Sequence, residues 1–447
     1  MSTLNRRIIA VSIPIILGNM TQIMLGIIDS AMVGSIDSVL LAGSALVNNI
    51  LSIPYIMGIG LSYAISPLVA TANGNDEKER SFHIAANGFL LCAIFAIVVG
   101  VGIHWGADIV FHLDQDIAVA NVSRDYLIIM GWSTVPMLMF LALKQFTDGL
   151  EFTRTGMYLA LASIPLNAIL NYLFIFGKLG LPRYELFGAG IGTLITRILI
   201  FFALLWIILK TDKYAPYREK LQDSIKIKTR TLQRLLKIGI PSSLQYAMES
   251  GAFAVSGIMI GWLGAVQLAA HQIAISIAAL TFMVSIGLSA AGSILVGNYL
   301  GRRDLETART VGKNTLIMGL VYGIACAILF VITNEYIPYF FNDEPQVIAY
   351  AAVLLIFAGI FQISDAIQAI SVGLLRGLHD VKIPTLYISI AYWIIGIPFG
   401  YYLAFHAGME ARGIWIGLVT GLSIAAVTMT YRFFRISRDG AVLAKVD

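Results

Sequence analysis

Charge is scarce in this chain. Asp, Glu, Lys and Arg supply 13% of its 447 residues, against about 25% in a soluble globular domain. A chain this long and this poor in charge reads as a polytopic membrane protein, with the lipid bilayer as its surroundings. The formal net charge of +4 is spread over short connections, so no basic face is available for nucleic acid. Cysteine is nearly absent. Cys92 and Cys326 lie in separate apolar segments, which excludes a disulfide framework and a CxxC metal or redox pair. The six histidines form no HExxH, and no glycine-rich loop ends in GK[ST]. Metal-dependent hydrolysis and ATP-driven transport therefore have no motif to rest on. The opening MSTLNRR leads into an apolar run without a clear small-residue cleavage site, and reads as the approach to a retained first helix rather than a cleaved signal peptide.

What the chain has is apolar length. Hydrophobic residues make up 58% of it. About twelve segments are long enough to cross a ~30 Å hydrocarbon core: 8–34, 40–72, 82–105, 122–143, 156–177, 187–210, 235–261, 266–299, 309–333, 347–371, 384–406 and 412–434. The second and eighth are over-long, which implies tilt or extension beyond the bilayer. Lys and Arg alternate in step with these segments. Arg6, Arg7, Lys78, Arg80, Lys144, Arg154, Arg302, Arg303, Arg376, Lys382, Arg435 and Arg438 fall on one side, together with the basic stretch from Lys210 to Lys237. By the positive-inside rule that side is cytoplasmic, and both termini lie there. The stretch from Lys210 to Arg234 is the single long polar connection. It divides the chain into an N-lobe, 1–220, and a C-lobe, 221–447, each of six helices.

The halves are copies. Displacing the chain by about 227 residues lays Arg7–Gly74 on Arg234–Gly301 without a gap. Pro14 then meets Pro241, Met32 meets Met259, and Gly60-Leu61-Ser62 meets Gly287-Leu288-Ser289. This is an internal repeat of half the chain in one direction, the two-lobed plan of many secondary transporters. The expectation is an all-α polytopic membrane protein, with twelve transmembrane helices in two homologous six-helix lobes around a central cleft. Nothing in the sequence demands more than a monomer.

Ionisable groups inside such a bundle are costly, about 2.5–3.5 kcal/mol each on insertion scales, and mark candidate sites. Glu249 in helix 7 and Asp365 in helix 10 are acids of the second half. Their repeat positions in the first half hold Gln22 and the apolar run Val135–Leu141. Asp29 in helix 1 is answered by Ser256. A purely structural acid would be expected to recur in both copies, whereas these differ between them. Two carboxylates in one low-dielectric bundle can hold a monovalent cation with amide and hydroxyl oxygens. They can also share a proton, because like charges side by side repel. Gln272 in helix 8 and Gln362 in helix 10 are neutral oxygen donors that could complete such a site. Asn167 and Asn171 in helix 5 are four apart and share a face, with Pro165 just before them. They read equally as helix glue or as a site. Gln22 and Asp29 are seven apart and also share a face. A pathway lined by Gln22, Asp29, Asn167 and Asn171 follows for the first half. Asp148 and Glu151, beside Lys144 and Arg154, read as a solvated salt-bridge cluster. Arg197 in helix 6 needs a carboxylate or carbonyl partner.

The runs Phe361–Gly377 (FQISDAIQAISVGLLRG), Ser12–Gly34, Pro165–Gly177 and Leu268–Ser276 (LAAHQIAIS) resemble the multidrug and toxic compound extrusion (MATE) family, in its NorM-like branch. The resemblance covers essentially the whole chain. It implies transport rather than enzyme chemistry, and no cofactor other than a coupling ion, Na⁺ or H⁺. It also implies alternating access, cationic or amphipathic drugs as cargo, and a bacterial inner membrane. By the same resemblance Glu249 and Asp365 match the C-lobe cation-site acids, Asp29 the helix 1 acid, and Asn167 and Asn171 the helix 5 pair. Phe361 departs from it, since relatives often carry Tyr there. If that hydroxyl holds the cation, this chain has one ligand fewer. The rival readings are a flippase for lipid-linked oligosaccharides or lipid precursors, of the same superfamily, and a membrane enzyme or sensor, for which no catalytic constellation is seen.

Overall fold

The structure, a computed structural model, describes residues 3–219 and 226–445. The described residues contain helices and no strands. Twelve long helices are numbered here in chain order. In the first half they are α1 (Thr3–Gly34), α2 (Ser38–Gly74), α3 (Lys78–His112), α4 (Ile117–Gly149), α5 (Thr153–Phe176) and α6 (Glu185–Lys210). In the second half they are α7 (Thr229–Gly261), α8 (Ala265–Gly301), α9 (Leu305–Thr333), α10 (Pro345–Gly377), α11 (Lys382–Phe405) and α12 (Glu410–Ile436). Eleven of these are long and apolar enough to cross a membrane. The twelfth, α7, has the length, at 33 residues. Its polarity sets it apart: Arg230, Arg234 and Lys237 open it, and Gln245 and Glu249 interrupt its apolar body.

Two details differ from the sequence expectation. The over-long second segment is broken, with α-helix from Ser38 to Ser62 and again from Ile65 to Gly74. The eighth runs unbroken for 37 residues. In α11 the helix loosens into a π-helical turn over Ile390–Gly396, a local widening common at functional positions.

The chain forms two compact units. One is Leu17–Ser243; the other is Leu244–Asp447 together with Met1–Ile16. The expected division between 220 and 221 lies outside the described residues. Leu17 and Leu244, where the unit boundaries cut α1 and α7, are repeat equivalents. In the first unit α4 packs on α2, α3 and α6; in the second α10 packs on α8, α9 and α12. These central helices are repeat counterparts, and each is more than half buried along its apolar span.

The duplicated Gly-Leu-Ser has a packing reason. A Cβ at Gly60 would collide with the backbone of Ser243, and one at Gly287 would collide with Ile16. Ser243 and Ile16 are again repeat equivalents, so the same close approach occurs once in each unit. Only glycine permits it, in the manner of small-residue helix contacts in membranes.

Candidate functional site

In the unit Leu17–Ser243 the polar residues of α1, α5 and α6 close into a ring. Asn171 donates through Nδ2 to Asp29 Oδ1 at 2.5 Å and to Asn167 Oδ1 at 3.2 Å. Asn167 donates to Thr193 Oγ1 at 3.3 Å. Thr193 donates in turn to Asp29 Oδ2 at 3.4 Å. The four-residue spacing puts Asn167 and Asn171 on one face of α5, from which Asn167 reaches Thr193 of α6 and Asn171 reaches Asp29 of α1. Gly192 makes room for them, since a Cβ there would overlap Asn171 Oδ1.

The ring opens onto a cavity of about 320 Å³ whose lining includes Gln22, Asp29, Asn167, Thr193 and Arg197, with Tyr55, Tyr126 and Met137. Thus Gln22, Asp29 and Asn167 are brought to one space, with Asn171 held just behind Asp29. Arg197 takes neither of its expected partners. Its Nη1 donates to two hydroxyls, Ser133 Oγ at 2.6 Å and Tyr55 OH at 3.3 Å. The Tyr55 hydroxyl in turn donates a hydrogen bond to the Met130 carbonyl at 3.2 Å. The cluster at the end of α4 is also different from its sequence reading. Lys144 Nζ and Asp148 Oδ2 pair at 2.8 Å with side chains only 7% and 3% exposed. They are buried, not solvated, because Gly156 and Gly18 let α5 and α1 close over the lysine stem.

The second unit holds the other acids. Glu249 of α7 and Asp365 of α10 are both buried and lie within electrostatic reach of each other. Neither carboxylate has a hydrogen-bond donor among the described residues. Around Glu249 there is a pocket with free volume of only about 10 Å³, room for about one water-sized species. Buried oxygens left without a partner include Gln245 Oε1, Gln362 Oε1, Gln368 Oε1 and the Tyr392 hydroxyl. The Gln362 amide donates to the Ala278 carbonyl at 3.0 Å, which leaves its oxygen for another group. Buried polar atoms rarely stay unpaired unless they serve a ligand or hold strain. Carboxylates with neutral oxygens suit a small hard cation.

Gln272 is not brought to this pair. It is exposed, and its buried neighbour is His271. One residue along a helix turns a side chain through about 100°, enough to exchange the two. Phe361 is also absent from the larger cavity. It is buried in the second unit, edge-on to Phe253 at 5.8 Å and to Trp415 at 5.7 Å. Tyr392, in the π-helical turn, faces both acids electrostatically. Its place could not be read from sequence, because the turn changes the helical period locally. Thr193 carried a signal: it stands one turn before Arg197.

Comparisons with known proteins agree with this architecture. The MatE family model matches residues 14–173 and again 241–402, two copies that coincide with the internal repeat. Multidrug resistance protein NorM of Photobacterium profundum is 32% identical over 432 residues, 96% of this chain and 94% of that protein. A probable multidrug resistance protein NorM of Rhodopseudomonas palustris is 32% identical over 407 residues, 90% of this chain and 86% of its own length. Among solved structures, a MATE protein in its bent conformation superposes with a TM-score of 0.91 at 18% identity, covering 100% of this chain and 97% of that one. A eukaryotic MATE transporter superposes with a TM-score of 0.88 at 21% identity and 99% coverage of both chains. The repeat, the twelve long helices and the matches along both halves place this chain in the MatE family of multi-pass membrane transporters.

Proposed function

We propose that this chain is a cation-coupled multidrug efflux antiporter of the bacterial inner membrane, with both termini cytoplasmic. The observation that carries this reading is the buried pair Glu249 and Asp365, which among the described residues have no hydrogen-bond donor and are set among unpaired oxygens. Such a pair is costly when charged and empty of cation, because charge is poorly tolerated in low dielectric. A Na⁺, or protons in its place, neutralises the pair and removes that cost. A ligand shifts a conformational equilibrium only by its difference in affinity for the two states, and this site supplies such a difference to an entering ion. Cation entry favours one state and expels drug; loss of the cation restores the drug-accepting state. The names of the NorM relatives support multidrug export as the cargo side, and the cavity beside Asp29 is a compartment of ligand size. Na⁺ is the first choice for the ion.

The test is ethidium efflux from proteoliposomes of the purified protein, with a Na⁺ gradient and a H⁺ gradient imposed separately. Efflux on Na⁺ alone supports the full reading. Efflux on H⁺ alone keeps the antiporter and makes the same acids a proton site. Silence under both gradients refutes drug antiport and turns attention to lipid-linked cargo.

A further inference from the structure

The cavity of the Leu17–Ser243 unit contains a cation of its own. Arg197 lines it together with Asp29, and its hydrogen bonds account for only part of its capacity. A guanidinium has N–H donors on Nε, Nη1 and Nη2. Nη1 is occupied by Ser133 and Tyr55, while Nε and Nη2 have no partner among the described residues. No carboxylate there lies within ion-pair distance of it. Asp29 acts on it through the field alone, its oxygens accepting from Asn171 and Thr193. The guanidinium is also held in place: the two hydroxyls fix one end, and the Tyr55 ring centroid lies 5.6 Å from its Cζ.

A fixed, partly unused guanidinium at a cavity wall is a carboxylate receptor, because its planar fork matches the two carboxylate oxygens. Lys144 does not compete, since it is committed to Asp148. Three charged residues line the space, Asp29, Arg197 and Lys144; with Lys144 neutralised by Asp148, the charges left for a ligand are one negative, Asp29, and one positive, Arg197. A simple organic cation would gain from the first and lose to the second. A molecule bearing both signs would meet both. Met130, Met137, Phe140 and Leu25 supply an apolar, adaptable wall for its body.

We infer that Arg197 is a specificity-determining residue that binds carboxylate, so that this cavity selects zwitterionic amphiphiles over cations of the same skeleton. The inference rests on the transport reading above and names the class of cargo it favours.

The test uses two dyes that differ in a single ester, rhodamine B with its free carboxylate and rhodamine B ethyl ester. Each is titrated by fluorescence anisotropy against the full-length protein in detergent. The wild type is expected to bind the acid about tenfold more tightly than the ester, the worth of a charge-assisted fork. Arg197→Gln removes that preference through weaker acid binding and leaves ester binding equal or better. Arg197→Lys keeps the charge without the fork and retains part of the preference. Asp29→Asn weakens both dyes alike. The wild-type comparison needs no variant, so a misfolded Arg197→Gln does not shelter the idea. An acid-to-ester preference of one or less in the wild type overturns it, as does full acid affinity in folded Arg197→Gln. Acid binding that ignores Arg197 sinks this inference and leaves multidrug transport standing. Binding of neither dye, with no ethidium efflux, removes both.

Discussion

Asn171 of α5 donates to Asp29 of α1 at 2.5 Å, and the same amide also holds Asn167. One side chain therefore ties the α1 acid to the α5 pair, and Thr193 closes the circuit from α6. Hydrogen bonds between membrane helices are modest in stability, about 0.6–1.7 kcal/mol. Their effect on a carboxylate's orientation is larger, because a charge in a cavity acts only where it points. Asn171→Ala is expected to lower thermal stability by little and to cut ethidium efflux at least as severely as Asp29→Asn. A variant that loses several kcal/mol of stability yet pumps normally would make this ring structural glue.

Gly192 supports that ring from behind. Adding a Cβ there forces Asn171 Oδ1 aside, and overpacking of a well-filled contact costs about 1–3 kcal/mol. Gly192→Ala should therefore reproduce the transport defect of Asn171→Ala without removing any polar group. Measuring both variants, and the double variant, tests whether they act through one contact: the combined loss should fall short of the sum.

Glu249→Gln and Asp365→Asn should each abolish cation-driven efflux while expression and stability stay at wild-type level. Replacing a donor-less buried carboxylate by an amide removes charge from low dielectric, so folding has little to lose. Drug resistance in a pump-deficient bacterium, measured beside membrane expression, gives the result. Wild-type resistance in both variants would end the assignment of the coupling site.

Much of this was legible beforehand, and the rest was not, for definite reasons. The repeat follows from the self-similarity of the chain, the placement of Glu249 and Asp365 in α7 and α10 from the apolar runs around them, and the shared face of Asn167 and Asn171 from periodicity along a single helix. The partners of Arg197 do not. Ser133 and Tyr55 come from α4 and α2, and nothing in α6 points to them. The Lys144–Asp148 pair has the spacing of a surface ion pair, and burial is decided by Gly18 and Gly156 on other helices. Gln272 and His271 are adjacent, and the rotation of the helix about its axis, set by its packing, decides which is inside. The π-helical turn that carries Tyr392 breaks the very period on which such reading depends.

Tyr392 allows the cation site to be tested from its hydroxyl side. That hydroxyl is buried without a partner among the described residues and faces Glu249 and Asp365 electrostatically. An unsatisfied buried polar group costs about 1–3 kcal/mol, and its removal recovers that amount. Tyr392→Phe should then raise the stability of the protein in the absence of Na⁺. If the hydroxyl is a cation ligand, the same change also lowers the apparent affinity for Na⁺, so added Na⁺ stabilises the variant less than the wild type. Thermal unfolding with and without Na⁺ reads both effects at once, because a ligand that binds the folded state stabilises it by mass action. Greater stability with an unchanged Na⁺ increment would make Tyr392 a strained packing residue. The reverse pairing, Phe361→Tyr, asks whether the aromatic wall at Phe253 and Trp415 can offer the cation a hydroxyl in its place: an increased Na⁺ increment in that variant would show that it can.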